Sequence, residues 1–188
     1  MDSGAALRIF VAVDVPETVR RRLVRFSSEF EADVYKAKWV RPQAMHLTLL
    51  FLGNLQEPEL ERVKSAVSAL DFQPFTLDLT SIGTFCRENG AVLWAGLSEH
   101  PELLRIAGKL RSDLSGFSAL DGLREFVPHI TMARFKTIRK VNAFEDKVRR
   151  LEIGEHLSFC VNQVKVYASE LTPQGSVYTE LFVKNAAS

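Results

Sequence analysis

A short pattern of histidine and threonine occurs twice in the chain, once in each half. The first copy is His46-Leu47-Thr48-Leu49 and the second is His129-Ile130-Thr131-Met132. Each copy lies in an apolar run that predicts a β-strand. Because alternate side chains of a strand point to opposite faces, the histidine and the threonine of each copy share one face. Two imidazoles and two hydroxyls converge if the two strands meet at one cleft.

This combination suits the hydrolysis of a phosphodiester. An imidazole has a reference pKa of about 6.5, so near neutral pH one ring can accept a proton while another donates one. In-line attack on phosphorus needs both a proton acceptor and a proton donor, because the attacking water loses a proton and the departing oxygen gains one. Threonine hydroxyls can donate to the non-bridging oxygens and offset the charge of the transition state. The pattern therefore predicts acid–base chemistry that requires no metal and no cofactor.

Two other interpretations of the pattern remain open. A histidine in an apolar strand is often a hydrogen-bonded core residue. A zinc site is also conceivable, but the pattern lacks a histidine pair at i and i+4 with a glutamate, and no nearby Asp, Glu or Cys completes a ligand set. The remaining histidines, His100 and His156, lie at the edges of predicted elements without a threonine partner. We assign them no catalytic role.

Hydrophobic periodicity predicts the elements that must position the two motifs. Strands are predicted at 7–13, 46–52, 75–80, 91–97, 126–133, 157–168 and 177–183, and helices at 16–30, 57–70, 101–115 and 141–150, with a turn at Glu88-Asn89-Gly90. This order favours an α+β fold with antiparallel sheets over a doubly wound parallel sheet. No glycine-rich dinucleotide loop or P-loop follows a predicted strand. No linker divides the chain, so residues 1–188 are expected to form one compact two-lobed catalytic domain.

Composition narrows the class further. The chain has 188 residues, of which 46% are hydrophobic and 25% charged, as in ordinary soluble proteins. Its 24 basic and 23 acidic residues leave a net charge of +1, so a local site must hold any anionic substrate. Cys86 and Cys160 do not form a disulfide framework or a metal-ligand pattern. With no targeting or membrane segment and no coiled-coil pattern, we expect a cytoplasmic monomer.

The residues that carry both motifs resemble the two-histidine phosphoesterase superfamily, which a pair of H-x-T/S-x motifs defines. More closely, the chain resembles the bacterial and archaeal RNA 2′,3′-cyclic phosphodiesterases, also called 2′-5′ RNA ligase-like proteins. The similar segments are the opening strand at 8–16, the blocks at 39–42, 46–53 and 128–134, and Pro173-Gln174-Gly175 with Tyr178. The resemblance therefore covers essentially the whole chain.

The resemblance implies a bilobal α+β fold in which two antiparallel β-sheets face each other across a central cleft, with helices on the outer faces. It implies hydrolysis of the 2′,3′-cyclic phosphate ends of RNA or nucleotides to 2′-phosphates. By the same resemblance, His46 is the proton donor and His129 the proton acceptor, with Thr48, Thr131 and Arg134 binding the phosphate. A 2′-5′ phosphodiesterase or ligase, and a binding module with little turnover, remain alternatives.

Strand parity raises a question about two residues near the motifs. Arg134 lies five positions after His129, and Phe51 lies five positions after His46. In a regular strand an odd separation turns a side chain to the opposite face, although a bulge could reverse this. Parity alone leaves Arg134 as either a phosphate ligand or a surface arginine, and it predicts that Phe51 belongs to the core.

Other conspicuous residues are predicted to be structural. The arginines at 20–22, 25, 149 and 150 form clusters that are usually solvated faces, although they could help to hold an RNA strand. Trp39 could stack on a base. We favour its burial as an anchor of the cleft wall.

Overall fold

The structure, a computed structural model, describes residues 6–30, 37–87, 90–120, 125–136, 138, 141–154, 156–173 and 175–187. The predicted turn residues Glu88 and Asn89, and Gln174 of the C-terminal segment, lie outside these ranges. The strands are β1 (Leu7–Asp14), β2 (Ala37–Trp39), β3 (His46–Leu55), β4 (Phe75–Arg87), β5 (Gly90–Leu97), β6 (His129–Phe135), β7 (Ser158–Val161), β8 (Gln163–Thr172) and β9 (Gly175–Asn185). The α-helices are α1 (Glu17–Val24), α2 (Glu57–Ser68), α3 (Pro101–Asp113) and α4 (Val141–Arg149).

The nine strands form one curled antiparallel sheet in the order β7-β4-β5-β6-β3-β1-β8-β9, with β2 paired to β6. The α+β fold and its antiparallel strand pairs are confirmed. The structure adds how the two predicted halves are joined. The strands that carry the histidine motifs, β3 and β6, are neighbours at the centre of the sheet, where Leu47 pairs with Ile130.

The hydrophobic core lies on one face of the sheet, and the histidine motifs lie on the other. Along β3 the burial alternates, with Leu47 and Leu49 buried and His46 and Thr48 partly exposed. The helices present their apolar stripes to this core through Val19 and Leu23 of α1, Leu60, Val63 and Val67 of α2, Leu103, Ile106 and Leu110 of α3, and Phe144 and Val148 of α4. The helices thus support the sheet from behind and leave the motif face open to solvent.

Several predicted boundaries change in the structure. The predicted helix at 16–30 is an α-helix only to Val24 and continues as a 3₁₀ turn over Arg25–Glu29. The predicted strand at 157–168 is two strands, because the chain passes from β7 at one end of the sheet to β8 near the other. The strand predicted at 75–80 extends to Arg87 and pairs with β5 as a long hairpin.

Both cysteines, Cys86 and Cys160, are exposed free thiols. Across the described ranges, the helices are all too short or too polar to cross a membrane.

Candidate active site

The two histidine motifs lie side by side on two neighbouring antiparallel strands, β3 and β6. Because β3 and β6 are antiparallel and Leu47 pairs with Ile130, the register places His46 beside Thr131 and Thr48 beside His129. All four side chains lie on the face opposite the buried Leu47 and Ile130, and all four are partly exposed. The structure therefore brings the four predicted residues together in one cleft.

The two imidazoles are held in the same way. In each motif the Nδ1 atom lies close to the backbone carbonyl two residues earlier, at 2.9 Å from the Ala44 oxygen for His46 and 2.7 Å from the Val127 oxygen for His129. A carbonyl oxygen can only accept, so each Nδ1 carries a hydrogen and donates it. The other nitrogen of each ring, Nε2, is then free to accept a proton in the neutral ring and to donate one in the charged ring.

A β-bulge in β6 determines which face of the sheet carries Arg134. In β6 the partner of Leu93 is Ala133, but the partner of Trp94 is Thr131, so Met132 is an extra residue. As a result Met132 and Ala133 are both buried, and Arg134 returns to the exposed face that carries His129. The positive charge of Arg134 lowers the pKa of both His46 and His129.

An equivalent bulge lies in β3, where Leu49 is extra between the partners of Val11 and Ala12. Phe51 therefore lies on the same face as His46 and Thr48, and it is 37% exposed. The prediction that Phe51 belongs to the core is wrong, because the parity argument applies only to a strand without an extra residue. The guanidinium of Arg8 lies over the Phe51 ring, 4.9 Å from its centroid.

Aromatic side chains surround each imidazole. The ring of His46 lies 4.8 Å from that of Phe10 and 5.2 Å, edge to face, from that of Tyr178. The ring of His129 lies 5.0 Å, edge to face, from that of Phe85 and 6.3 Å from that of Trp94. These contacts fix the ring planes and remove water from around them.

Two glycines make room for Trp94 beside His129. A β-carbon at Gly83 would lie 2.4 Å from carbons of the indole, and one at Gly96 would lie 3.0 Å from it and 2.6 Å from the Ser81 hydroxyl. Both glycines lie on strands that flank the cleft, so the indole lies flat over their backbone. A side chain at Gly83 would displace the tryptophan that packs near His129.

A charged cluster lies on the His46 side of the cleft. Asp14 is the strand partner of His46, and its carboxylate accepts a 2.7 Å hydrogen bond from the Tyr167 hydroxyl. The ammonium of Lys165 lies 2.9 Å from Asp14 and 2.8 Å from Glu180. We call these four residues, Asp14, Tyr167, Lys165 and Glu180, the Asp14 cluster. It contains two carboxylates and one ammonium, so its net charge is negative.

The pKa values of both histidines are lowered, chiefly because burial disfavours the charged imidazolium. For His46, the Ala44 carbonyl and the Asp14 carboxylate oppose this effect and raise the pKa, while His129 and Arg134 lower it further. For His129, the Val127 carbonyl raises the pKa and Arg134 lowers it. Asp14 is charged at neutral pH: burial opposes its ionisation, but Lys165 and Tyr167 outweigh burial and lower its pKa.

The two halves of the cleft are related by an approximate two-fold axis through the Leu47–Ile130 pair. His46, Thr48 and Phe51 correspond to His129, Thr131 and Arg134 by their positions in the bulged strands. The strand partner of His46 is Asp14, whereas that of His129 is Gly96. The halves share a backbone design but differ in charge, because the His129 side has no carboxylate at the position of Asp14.

The other residues that the sequence singled out lie outside this arrangement. Trp39 packs against Phe30 and Phe135, with ring centroids 5.8 Å and 6.3 Å away, and so anchors the wall beneath β6. His100 caps α3 by accepting from the Glu102 amide at 3.2 Å. His156 lies 3.2 Å from the Asp78 carboxylate.

The arginine clusters are partly engaged in local contacts. Arg21 pairs with Glu17 at 3.1 Å, and Arg22 donates to the Ile153 carbonyl at 3.0 Å. Arg149 pairs with Asp146. Arg21 and Arg149 thus lie on solvated helix faces, as predicted, whereas Arg22 makes a partly buried contact between α1 and the segment that follows α4.

Among the residues that the structure describes, no group of three or more His, Cys, Asp or Glu side chains forms a metal-ligand cluster.

The sequence analysis did not identify the Asp14 cluster or the aromatic side chains that surround the two imidazoles. The predicted first strand ends one residue before Asp14, and Tyr178 belongs to a segment that carries the family resemblance. Tyr167 and Lys165 alternate along β8 with the buried Val164 and Val166, which is the pattern of a half-buried strand. That pattern predicts a polar face, but it does not say which histidine the face adjoins.

Comparison with known proteins agrees with this geometry. The model of the LigT-like phosphoesterase family matches the chain twice, at residues 13–94 and 96–178, so each match contains one histidine motif. The RNA 2′,3′-cyclic phosphodiesterase of Archaeoglobus fulgidus is 33% identical over 178 residues, covering 94% of this chain and 99% of the relative. That of Methanocaldococcus jannaschii is 30% identical over 173 residues, covering 92% of this chain and 96% of the relative.

Solved structures show the same fold. The crystal structure of Escherichia coli LigT complexed with 3′-AMP superposes with a TM-score of 0.80 at 25% identity, covering 97% of this chain and 99% of that one. A curled antiparallel sheet with two H-x-T-x motifs on neighbouring central strands defines a two-histidine phosphoesterase. The chain belongs to the LigT-like phosphoesterase family, which confirms the resemblance seen in the sequence. It is an enzyme of the phosphoesterase class.

Proposed function

We propose that this protein hydrolyses the 2′,3′-cyclic phosphate ends of RNA or nucleotides to 2′-phosphates, by acid–base catalysis between His46 and His129 without a metal. The observation that carries the proposal is the pairing of β3 with β6, which places two imidazoles and two threonines side by side on one face of the sheet. The names of the relatives, RNA 2′,3′-cyclic phosphodiesterases, support the substrate class.

The roles follow from the balance of protons in the reaction. Water attacks phosphorus and loses a proton to the neutral imidazole of His129. The bond from phosphorus to the ribose 3′ oxygen breaks, and that oxygen takes a proton from the imidazolium of His46. Thr48 and Thr131 donate to the non-bridging oxygens, and the Arg134 guanidinium neutralises the negative charge that grows on them. The product is a 2′-phosphate with a free 3′ hydroxyl.

The Asp14 cluster supports His46 as the donor. Its negative charge lies on the His46 side of the cleft and favours a proton on that ring. Burial and the positive charge of Arg134 favour the neutral form of both rings, so the Asp14 carboxylate is the charge that distinguishes His46 from His129. A carboxylate beside the donor helps to keep that ring protonated at a pH at which the acceptor is neutral.

The experiment that tests this function is incubation of the purified protein with 2′,3′-cyclic AMP and with a cyclic-phosphate-ended oligonucleotide, in the presence of EDTA. Phosphorus NMR identifies the product. We expect adenosine 2′-phosphate, at a rate that EDTA does not change. Formation of the 3′-phosphate would contradict the assigned leaving oxygen. Loss of activity with EDTA, restored by a divalent cation, would contradict the metal-independent mechanism.

Replacing Asp14 with asparagine tests the assignment of donor and acceptor. The substitution removes the charge that raises the pKa of His46, so the imidazolium of His46 loses its proton at lower pH. The alkaline limb of the kcat/KM profile, which reports the donor, is expected to move to lower pH, and more activity is lost at pH 8 than at pH 6. The measurement is kcat/KM against pH for the two proteins.

The matched control is Tyr167→Phe, which removes the hydrogen bond to Asp14 but leaves its charge in place. The alkaline limb of this variant is expected to shift less than that of Asp14→Asn. If Asp14→Asn moves the acidic limb instead, His46 is the acceptor and the two roles are reversed.

A further inference from the structure

Two positive charges lie side by side on the histidine face at the β2 edge of the cleft. Arg134 pairs directly with Lys38 of β2 on one side and with Val92 of β5 on the other. Direct partners in an antiparallel pair project from the same face of the sheet, so Lys38 shares the histidine face with Arg134. The next residue of β2, Trp39, packs against Phe135 on the core side, as the alternation of a strand requires. Lys38 and Arg134 are both exposed.

These two charges are not neutralised within the part of the chain that the structure describes. Neither Lys38 nor Arg134 forms an ion pair with a described residue, and Val92, the next member of the row, is apolar. Like charges directly opposite each other in an antiparallel pair destabilise it. An anion bound between the two side chains would remove this repulsion, so the pair favours an anionic ligand.

The two cations lie at different distances from the histidines. Among the described residues, Arg134 is the charged group that changes the pKa of His129, and Lys38 does not act on it. The pairing of β6 with β5 puts Arg134 two strand positions from Thr131, about 7 Å along the strand. Lys38 lies one strand further out, about 5 Å beyond Arg134. Arg134 is therefore placed for the reacting phosphate, and Lys38 for a second anionic group of the same substrate.

The chemistry of an RNA end identifies that second group. The terminal nucleotide carries its cyclic phosphate on the 2′ and 3′ oxygens, and its other phosphate is on the 5′ oxygen. We propose that Lys38 binds this 5′ phosphate while the cyclic phosphate lies between His46 and His129. The inference rests on the proposed function, from which it takes the position of the cyclic phosphate. A free nucleoside 2′,3′-cyclic phosphate lacks the 5′ phosphate, so Lys38 favours RNA ends over free cyclic nucleotides.

The first test compares two products that differ only in the 5′ phosphate. Titrations of adenosine 2′-monophosphate and of adenosine 2′,5′-bisphosphate give two dissociation constants for the wild type, Lys38→Ala, Lys38→Arg and Lys109→Ala. Lys109 is a matched control, because it is a lysine that pairs with Asp113 on α3, behind the sheet.

We expect Lys38→Ala to weaken binding of the bisphosphate about fivefold, as for an exposed ion pair, and binding of the monophosphate less than about twofold. Lys38→Arg is expected to retain most of the affinity for the bisphosphate, because it keeps the charge. Lys109→Ala is expected to change neither constant. Equal weakening of both products by Lys38→Ala means that Lys38 binds the reacting phosphate, and unchanged binding means that the 5′ phosphate lies elsewhere. Either result overturns the proposal.

The second test measures kcat/KM on 2′,3′-cyclic AMP, on its 5′-phosphorylated form and on the dinucleotide ApA with a cyclic phosphate end. Lys38→Ala is expected to lower kcat/KM about fivefold on the two substrates that carry the 5′ phosphate, and less on 2′,3′-cyclic AMP. A loss confined to the dinucleotide means that Lys38 contacts the second nucleoside, which also overturns the proposal.

The two tests together distinguish this proposal from the proposed function. A wild type that binds the bisphosphate through Lys38 but hydrolyses none of the three substrates refutes the proposed function and supports the Lys38 site. Turnover of all three substrates with no effect of Lys38→Ala refutes the Lys38 site alone.

Discussion

Replacing either His46 or His129 with alanine is expected to lower kcat on 2′,3′-cyclic AMP by about 10²- to 10⁴-fold, the usual contribution of a general acid or base. Both rings lie on the open face of the sheet, opposite the core, so their removal leaves the packing of β3 and β6 intact. Each variant therefore remains folded and still binds adenosine 2′-monophosphate. The measurements are kcat, the dissociation constant of the product and the melting temperature.

The chain offers a matched control for these variants in His156→Ala. That histidine is exposed and pairs with Asp78 outside the cleft, so its replacement is expected to leave kcat unchanged. The double variant His46→Ala/His129→Ala should lose less than the product of the two single losses, since residues that act in one step are not additive. A rate near that of the wild type in either single variant would refute the two-imidazole mechanism.

The face of each motif strand that carries the histidine and the threonine could be predicted from the sequence, because each motif shows its own alternation of polar and apolar residues. The alternation of polar and apolar residues in 46–49 and in 129–132 predicts which side chains share a face of the strand. That prediction is correct wherever the strand has no extra residue. The structure adds that the motifs lie side by side on β3 and β6. Strand order depends on contacts between distant parts of the chain, which local periodicity does not record.

The positions of Arg134 and Phe51 could not be predicted from parity. Each follows an extra residue, Met132 or Leu49, and one extra residue reverses the face of everything after it. Both extra residues are ordinary core side chains, so no turn residue marks the bulge. The repeated motif still contains a clue, because two apolar residues follow each motif threonine, and both are buried.

The difference between the two halves has a functional consequence. A symmetrical site with identical surroundings would give both imidazoles the same pKa and no preferred donor. Here the Asp14 cluster adjoins one ring, and Gly96 occupies the equivalent position beside the other. The motifs place two chemically equal imidazoles in the cleft, so the proposed assignment of one as acid and the other as base depends on residues outside the motifs.

Replacing Arg134 with alanine is expected to lower kcat/KM on 2′,3′-cyclic AMP by about 10- to 100-fold. A hydrogen bond to a charged group contributes about 1.5–3 kcal/mol, and about 1.4 kcal/mol corresponds to a factor of ten. The guanidinium lies on the histidine face after the bulge and can neutralise the non-bridging oxygens in the transition state. Arg134→Lys should recover part of the loss, because it keeps the charge without the planar fork. The measurement is kcat/KM for both variants.

The pH profile of Arg134→Ala distinguishes a residue in the cleft from a surface arginine. Arg134 lowers the pKa of both histidines, so its removal raises both values. The acceptor His129 then becomes neutral only at higher pH, and the acidic limb of kcat/KM is expected to move to higher pH. Arg21→Ala, which removes an exposed arginine paired with Glu17 on α1, serves as the control and should leave the profile unchanged on this small substrate. If Arg134→Ala matches Arg21→Ala in both rate and profile, Arg134 is a surface residue, and the phosphate is held by the threonines and histidines alone.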